Sequence, residues 1–211
     1  MLANFVNQCW WYMEIPRTGS STIDRGLRRF FPHAQAIYQK HWPITPAPFM
    51  DKDLKEVFGF TSIRNPYSRA VSCWQFFTQP GKISFLDWTK ERIAQGFIEV
   101  HIEARPQHFW FKLHQWEAVI RQEHLEYDFW QIAQKLNSRL SPLPLIRYND
   151  INGPWANRVR AKTSRDKPWQ DYYCEESKQN VLQLYQEDFK CLAPWYSVQF
   201  PTIAVTSAQE V

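Results

Sequence analysis

A short loop near the N-terminus combines a cation, a glycine and four hydroxyl-bearing residues, which are groups suited to holding phosphate. The loop consists of Arg17, Thr18, Gly19, Ser20, Ser21 and Thr22. Gly19 permits a tight turn in which successive N–H groups converge on an anion, and a following helix would point its positive end at the same place. The same residues also suit an ordinary helix start capped by Ser or Thr, so the loop alone leaves both interpretations open.

Two strand–turn–helix units position this loop and a second one. Residues 9–13 form an apolar, aromatic run that predicts a buried strand, and a helical spacing of apolar residues follows from Thr22 until Pro32. Residues 58–63 predict a second strand. Asn65 and Pro66 then suit the cap and the first position of a second helix.

The remainder of the chain continues the alternation of strands and helices. A segment with three prolines, residues 33–48, is predicted to be irregular. Later elements are predicted as a helix over 84–95, a strand over 117–121, and helices over 128–136 and 174–192. This order predicts an α/β fold whose parallel sheet is covered on both faces, with ligands bound at the carboxyl ends of the strands. Both loops lie at such ends.

A kinase of the P-loop type is disfavoured by what these loops lack. A Walker A loop requires GxxxxGK[ST], which is absent, and no Asp ends the second strand to hold magnesium. The kinase therefore stays only as an alternative, and no metal is expected at the site.

The residues after the second strand carry a family resemblance. Arg64-Asn65-Pro66-Tyr67, followed by Arg69 and by Val71-Ser72, resembles the 3′-phosphate motif of sulfotransferases that use 3′-phosphoadenosine 5′-phosphosulfate (PAPS). The segment 16–21 resembles their 5′-phosphosulfate loop. The resemblance implies that Arg64 and Ser72 bind the 3′-phosphate. It also implies that the backbone and hydroxyl groups of Thr18, Gly19, Ser20, Ser21 and Thr22 hold the 5′-phosphate and the sulfonate.

Further motifs resemble the carbohydrate-directed branch of this family, which includes enzymes of the heparan-sulfate 2-O-sulfotransferase type. They are Arg105-Pro106-Gln107, Asp171-Tyr172-Tyr173 and the run from Tyr185 to Phe189, whereas the segment 116–129 is similar to the family as a whole. The likeness spans about residues 9–192. It implies one sulfotransferase domain over 1–200 with a tail over 201–211, and a three-layer sandwich around a parallel sheet, the P-loop-NTPase-like sulfotransferase fold. The implied acceptor is a hydroxyl group of a carbohydrate or small molecule, and the product of the cofactor is 3′-phosphoadenosine 5′-phosphate (PAP).

Sulfonyl transfer requires a base for the acceptor alcohol and positive charge at the departing phosphate. The family usually has Lys where this chain has Arg17, and arginine is a poor proton donor. We therefore expect Arg17 to act by charge and hydrogen bonds. By resemblance His41 is the first choice for the base; His101 and His108 come next because they flank Arg105-Pro106-Gln107. Because Arg17 departs from the family, a non-catalytic nucleotide-binding protein is the main alternative.

Composition limits the partners and the compartment. The chain has 211 residues, 22% of them charged, with a net charge of +4 spread without a basic run, which does not favour nucleic acid. It shows no apolar run near the length of a membrane span, no signal peptide and no paired cysteine spacing, so a cytoplasmic protein is expected.

Eleven Trp residues predict an aromatic core, with a sugar-stacking wall as the alternative for Trp10, Trp11, Trp42, Trp74 and Trp110. Neither the acceptor nor the oligomeric state has a readable pattern.

Overall fold

The computed structural model describes residues 4–7, 10–37, 57–78, 82–95, 104–145 and 167–196. Within these segments one sheet has five strands, in the order β3-β1-β2-β4-β5. They are β1 (Asn4–Asn7), β2 (Trp10–Met13), β3 (Gln35–Ile37), β4 (Phe58–Ile63) and β5 (Ala118–Arg121). Strands β2, β4 and β5 are parallel, whereas β1 is antiparallel to both of its neighbours. The protein is therefore a mixed α/β structure with a small three-stranded parallel region.

The predicted strands β2, β4 and β5 are confirmed, and two others were missed. Strand β1 has only two apolar residues, and β3 has three residues in all and falls in the segment predicted to be irregular. Such short strands give too little alternation for a periodicity argument. They extend the sheet through antiparallel pairing, whereas the sequence predicted a parallel sheet.

Seven α-helices occur in the described segments, together with 3₁₀ turns at Gln122–His124 and Trp169–Tyr172. The helices are α1 (Ser20–Phe30), α2 (Pro66–Phe77), α3 (Phe85–Gln95), α4 (His108–Phe111), α5 (Leu125–Leu136), α6 (Glu175–Leu184) and α7 (Gln186–Leu192). None of the helices in these segments has the length and apolar character to cross a membrane.

The side chains of the strands alternate between two cores, as the pleat of a sheet requires. On one face Trp10 and Phe60 pack with residues of α1 and α5, and on the other Trp11 and Ile63 pack with Trp110 of α4 and with α7. A third cluster joins α2, α3 and α6. Trp10, Trp11 and Trp110 are only 4%, 3% and 0% exposed, so these three belong to the core and not to a sugar-stacking wall.

The C-terminal helical segment corrects another expectation. One helix was predicted over 174–192, but the helix is interrupted at Tyr185, between α6 and α7, where φ and ψ are −115° and 24°. The buried periodicity continues through the break, since Val181 and Tyr185 both lie in the same core. Periodicity therefore could not reveal it. Helix α5 also begins earlier than expected, at Leu125 instead of Asp128.

Candidate functional site

The loop between β2 and α1 has an unusual backbone that other segments hold in place. Arg17 has φ 67° and Gly19 has φ 89°, both in the left-handed region, which costs a non-glycine residue such as Arg17 about 1–2 kcal/mol. Arg69, which is fully buried, donates from Nε to the carbonyl oxygen of Pro16 at 3.0 Å. Arg64 donates from Nη1 to the carbonyl oxygen of Arg17 at 3.5 Å. The two arginines thus hold the loop from the side of β4 and α2.

Three buried hydroxyl groups, linked by hydrogen bonds, hold the same loop against the strands. Thr18 donates from Oγ1 to the carbonyl oxygen of Ile15 at 2.6 Å, and its Oγ1 lies 2.6 Å from Oγ of Ser62. Ser62 in turn lies 2.9 Å from the hydroxyl oxygen of Tyr12. Burial, and then the nearby charge of Glu14, raises the pKa of Tyr12, so its hydroxyl keeps its proton. Each hydroxyl can therefore donate once along the chain.

Gly19 caps the N-terminus of α1 and sits against the turn before α5. A β-carbon placed on Gly19 would lie 2.5 Å from Cδ1 of Leu125 and 3.4 Å from Cγ of Gln122. Because Gly19 is the N-cap of α1, the first amide groups of the helix, at Ser20 and Ser21, follow the loop that leaves the carboxyl end of β2. The positive end of the helix then favours an anion there.

We expect Gly19→Ala to lower the free energy of unfolding by about 1–3 kcal/mol, because it adds a positive-φ penalty to a contact that is too short. Urea denaturation checks this value. In a Leu125→Ala background the steric part should disappear and the backbone part should remain. A Gly19→Ala protein as stable as the parent would contradict the geometry of the loop.

Arg64 follows β4 directly and is 4% exposed. It donates from Nε to Oγ of Ser68 at 2.6 Å. The predicted start of α2 is confirmed, because Oδ1 of Asn65 accepts from the amide groups of Tyr67 and Ser68 at 3.0 and 3.5 Å, and Pro66 occupies the first turn. The cap fixes the direction in which the chain leaves the strand.

Arg17 reaches from the first loop to the second helix. Its Nη2 donates to Oγ of Ser72 at 2.8 Å and to the carbonyl oxygen of Ser72 at 3.2 Å. Its guanidinium group also lies over the ring of Phe76, 4.3 Å from the centroid. Arg17, Arg64 and Ser72 are thus brought together, although 55 residues separate Arg17 from Ser72.

The hydroxyl groups of the first loop divide into two sets. The hydroxyl of Thr18 is turned into the protein, and that of Ser20 donates to Oε1 of Glu14 at 2.9 Å, so these two serve the loop itself. Ser21 and Thr22 are half-buried at the start of α1. Reasoning from sequence missed Glu14, whose buried carboxylate could have been suspected from its place between the strand and the loop.

Of the candidate bases only His108 lies within the described residues. His41 and His101 fall outside them. His108 belongs to α4, and its Nδ1 lies 2.9 Å from Oδ1 of Asp188, which is fully buried. Among the described residues no three His, Cys, Asp or Glu side chains gather as a metal site would need.

Comparison of the chain with family models, curated proteins and solved structures gives no match. Two guanidinium groups, a helix N-terminus and two half-buried hydroxyl groups lie at the carboxyl ends of β2 and β4. These groups are all donors or positive, which suits an anion with more than one phosphate or sulfate group.

Proposed function

We propose that this chain is a sulfotransferase with the P-loop-like fold of that family, which transfers the sulfonyl group of PAPS to a hydroxyl of a carbohydrate or small molecule. The observation that supports this most is the meeting of Arg17, Arg64 and Ser72 between the two loops. One loop alone would suit many anions. Two arginines that meet beside the N-terminus of α1 suit a ligand with more than one anionic group.

The resemblance to the sulfotransferase motifs assigns the donors to the two ends of such a nucleotide. By that resemblance Arg64 and Ser72, which belong to the unit formed by β4 and α2, would hold the 3′-phosphate. The amide groups at the start of α1, with the hydroxyls of Ser21 and Thr22, would hold the 5′-phosphate.

Each residue then has a limited chemical role. PAPS supplies the sulfonyl group, and transfer to an alcohol forms a sulfur–oxygen bond as the bond to the 5′-phosphate oxygen breaks. Arg17 would stabilise the negative charge on that phosphate by charge and hydrogen bonds, without giving up a proton. The acceptor proton would pass to a histidine base, for which His41 remains the first choice.

The decisive measurement is calorimetry of PAP binding without metal, beside 5′-AMP and ATP. We expect PAP to bind at least about 100-fold more tightly than 5′-AMP, since Arg64 and Ser72 would both contact the 3′-phosphate and one charge-assisted contact is worth about 1.5–3 kcal/mol. Equal affinity for PAP and 5′-AMP would overturn the proposed cofactor. Turnover of ATP that requires magnesium would instead support the kinase.

A further inference from the structure

Two motifs that the proposed site does not use meet directly behind Arg64. Gln107, from the Arg105-Pro106-Gln107 motif, is fully buried. Its Oε1 accepts from the amide of Arg64 at 2.9 Å, and its Nε2 donates to the carbonyl oxygen of Arg64 at 2.7 Å. The side-chain amide therefore binds both main-chain groups of Arg64, just as a neighbouring strand would. It continues the pairing of β4 beyond the last strand residue.

Asp188 on α7 holds Gln107 in turn. Its Oδ2 accepts from the amide of Gln107 at 2.8 Å, and its Oδ1 accepts from the amide of His108 at 2.7 Å and faces Nδ1 of His108 at 2.9 Å. The carboxylate is fully buried, so these donors replace the water it has lost. Gln107 and Asp188 lie 81 residues apart in the chain, which makes the contact a tie between distant parts of the fold.

Gln107 and Ser68 together hold the guanidinium group of Arg64 in place. Gln107 fixes the main chain of Arg64, and the contact of Nε with Ser68 fixes the side chain. A bidentate hydrogen bond from a guanidinium group depends on geometry. A small shift of the main chain would therefore misplace the two N–H groups that face the phosphate. The side-chain amide of Gln107 has both of its hydrogen-bonding ends on Arg64 and is thereby committed to this one residue.

We propose that Gln107 and Asp188 are positioning residues that set the preference of the site for a 3′-phosphate by fixing Arg64. This inference rests on the proposed function, because it assigns the 3′-phosphate to Arg64. Neither residue touches the nucleotide in this scheme. A purely structural role for the pair would lower stability but would weaken the binding of all nucleotides alike.

The test compares Gln107→Met and Asp188→Asn with the parent protein. Gln107→Met keeps the length of the side chain without its amide, and Asp188→Asn keeps the shape without the charge. Glu187→Gln is the matched control, because it removes one negative charge from the adjacent position of α7, where the side chain is 44% exposed and pairs with Lys112 and Lys190. Two quantities are measured for each variant: the ratio of the Kd values for 5′-AMP and PAP, and the hydrogen-exchange rate of the Arg64 amide by NMR.

We expect both variants to reduce the Kd ratio by about tenfold and to speed exchange of the Arg64 amide by at least about tenfold, with Glu187→Gln unchanged. Where Asp188→Asn fails to fold, Gln107→Met carries the test. A Kd ratio equal to that of the parent in a folded variant would overturn the positioning role. So would an unchanged exchange rate, whatever the nucleotides do.

The exchange measurement also separates this inference from the proposed function. A parent protein without any preference for PAP would overturn the proposed cofactor. The exchange rate would then still decide the tie itself: faster exchange in Gln107→Met and Asp188→Asn would support the coupling of α7 to Arg64, and unchanged exchange would refute it.

Discussion

Arg64→Ala is expected to weaken the binding of PAP by about 100-fold while changing the Kd of 5′-AMP by less than about threefold. The reason is that the two ligands differ only in the 3′-phosphate, which we assign to Arg64. A bidentate contact between guanidinium and phosphate contributes about 3 kcal/mol, and each 1.4 kcal/mol is a factor of about ten. Arg64 is 4% exposed, so the contact would be little screened by solvent.

The measurement is calorimetry with both nucleotides, after circular dichroism has shown that the variant is folded. Arg29→Ala is the control, because it removes the same charge from an exposed position on α1. Arg64→Lys should lie between Arg64→Ala and the parent, since lysine keeps the charge but not the planar fork. Loss of affinity for both nucleotides in equal measure would refute the assignment of the 3′-phosphate to Arg64.

Arg17→Ala is expected to lower the rate of sulfonyl transfer by about 100-fold or more, whereas Arg17→Lys should stay within about tenfold of the parent. Removing one group that stabilises developing charge typically costs about 10²–10³ in rate. Lysine restores the positive charge but lacks the planar guanidinium group, which donates to Ser72 and lies over the ring of Phe76. Charge alone should therefore recover most of the rate.

Simple sugars and phenols are first screened with the parent protein for an acceptor that supports turnover. Transfer to that acceptor is then measured as the release of PAP from PAPS. Arg139→Ala serves as the control for charge, because it is exposed beyond the end of α5. Equal turnover in Arg17→Ala and the parent would eliminate Arg17 as the stabilising cation. Tight PAP binding without transfer to any acceptor would favour the non-catalytic nucleotide-binding protein.

The parts of the fold that sequence predicts well are those with strong local signals. Strand β4 has the predicted bounds, Phe58–Ile63, because it is a short apolar run followed at once by a cap and a proline. Asn65 caps α2 as predicted because a cap needs only the two or three residues that follow it. Local chemistry settles such features without help from the rest of the chain.

The parts that sequence did not predict depend on distant residues. The left-handed backbone of Arg17 has no local cause, since its support comes from Arg64 and Arg69 on another unit. Gln107 and Arg64 are 43 residues apart in the chain, and the sequence around each shows no pattern that would indicate a contact between them. A resemblance drew attention to Gln107, but only the fold shows which residue it binds. The break at Tyr185 was missed for a different reason, because it leaves the buried periodicity intact.

The candidate site joins segments that are distant in the chain, with Arg17 and Ser72 separated by 55 residues and Arg17 and Arg64 by 47. Arg17, Arg64 and Ser72 therefore do not come together in the unfolded chain, and a ligand would bind only the native state. By mass action a nucleotide at 100 times its Kd would then add about 2.7 kcal/mol to the free energy of unfolding. The melting temperature of this protein is thus itself a sensor of its ligands.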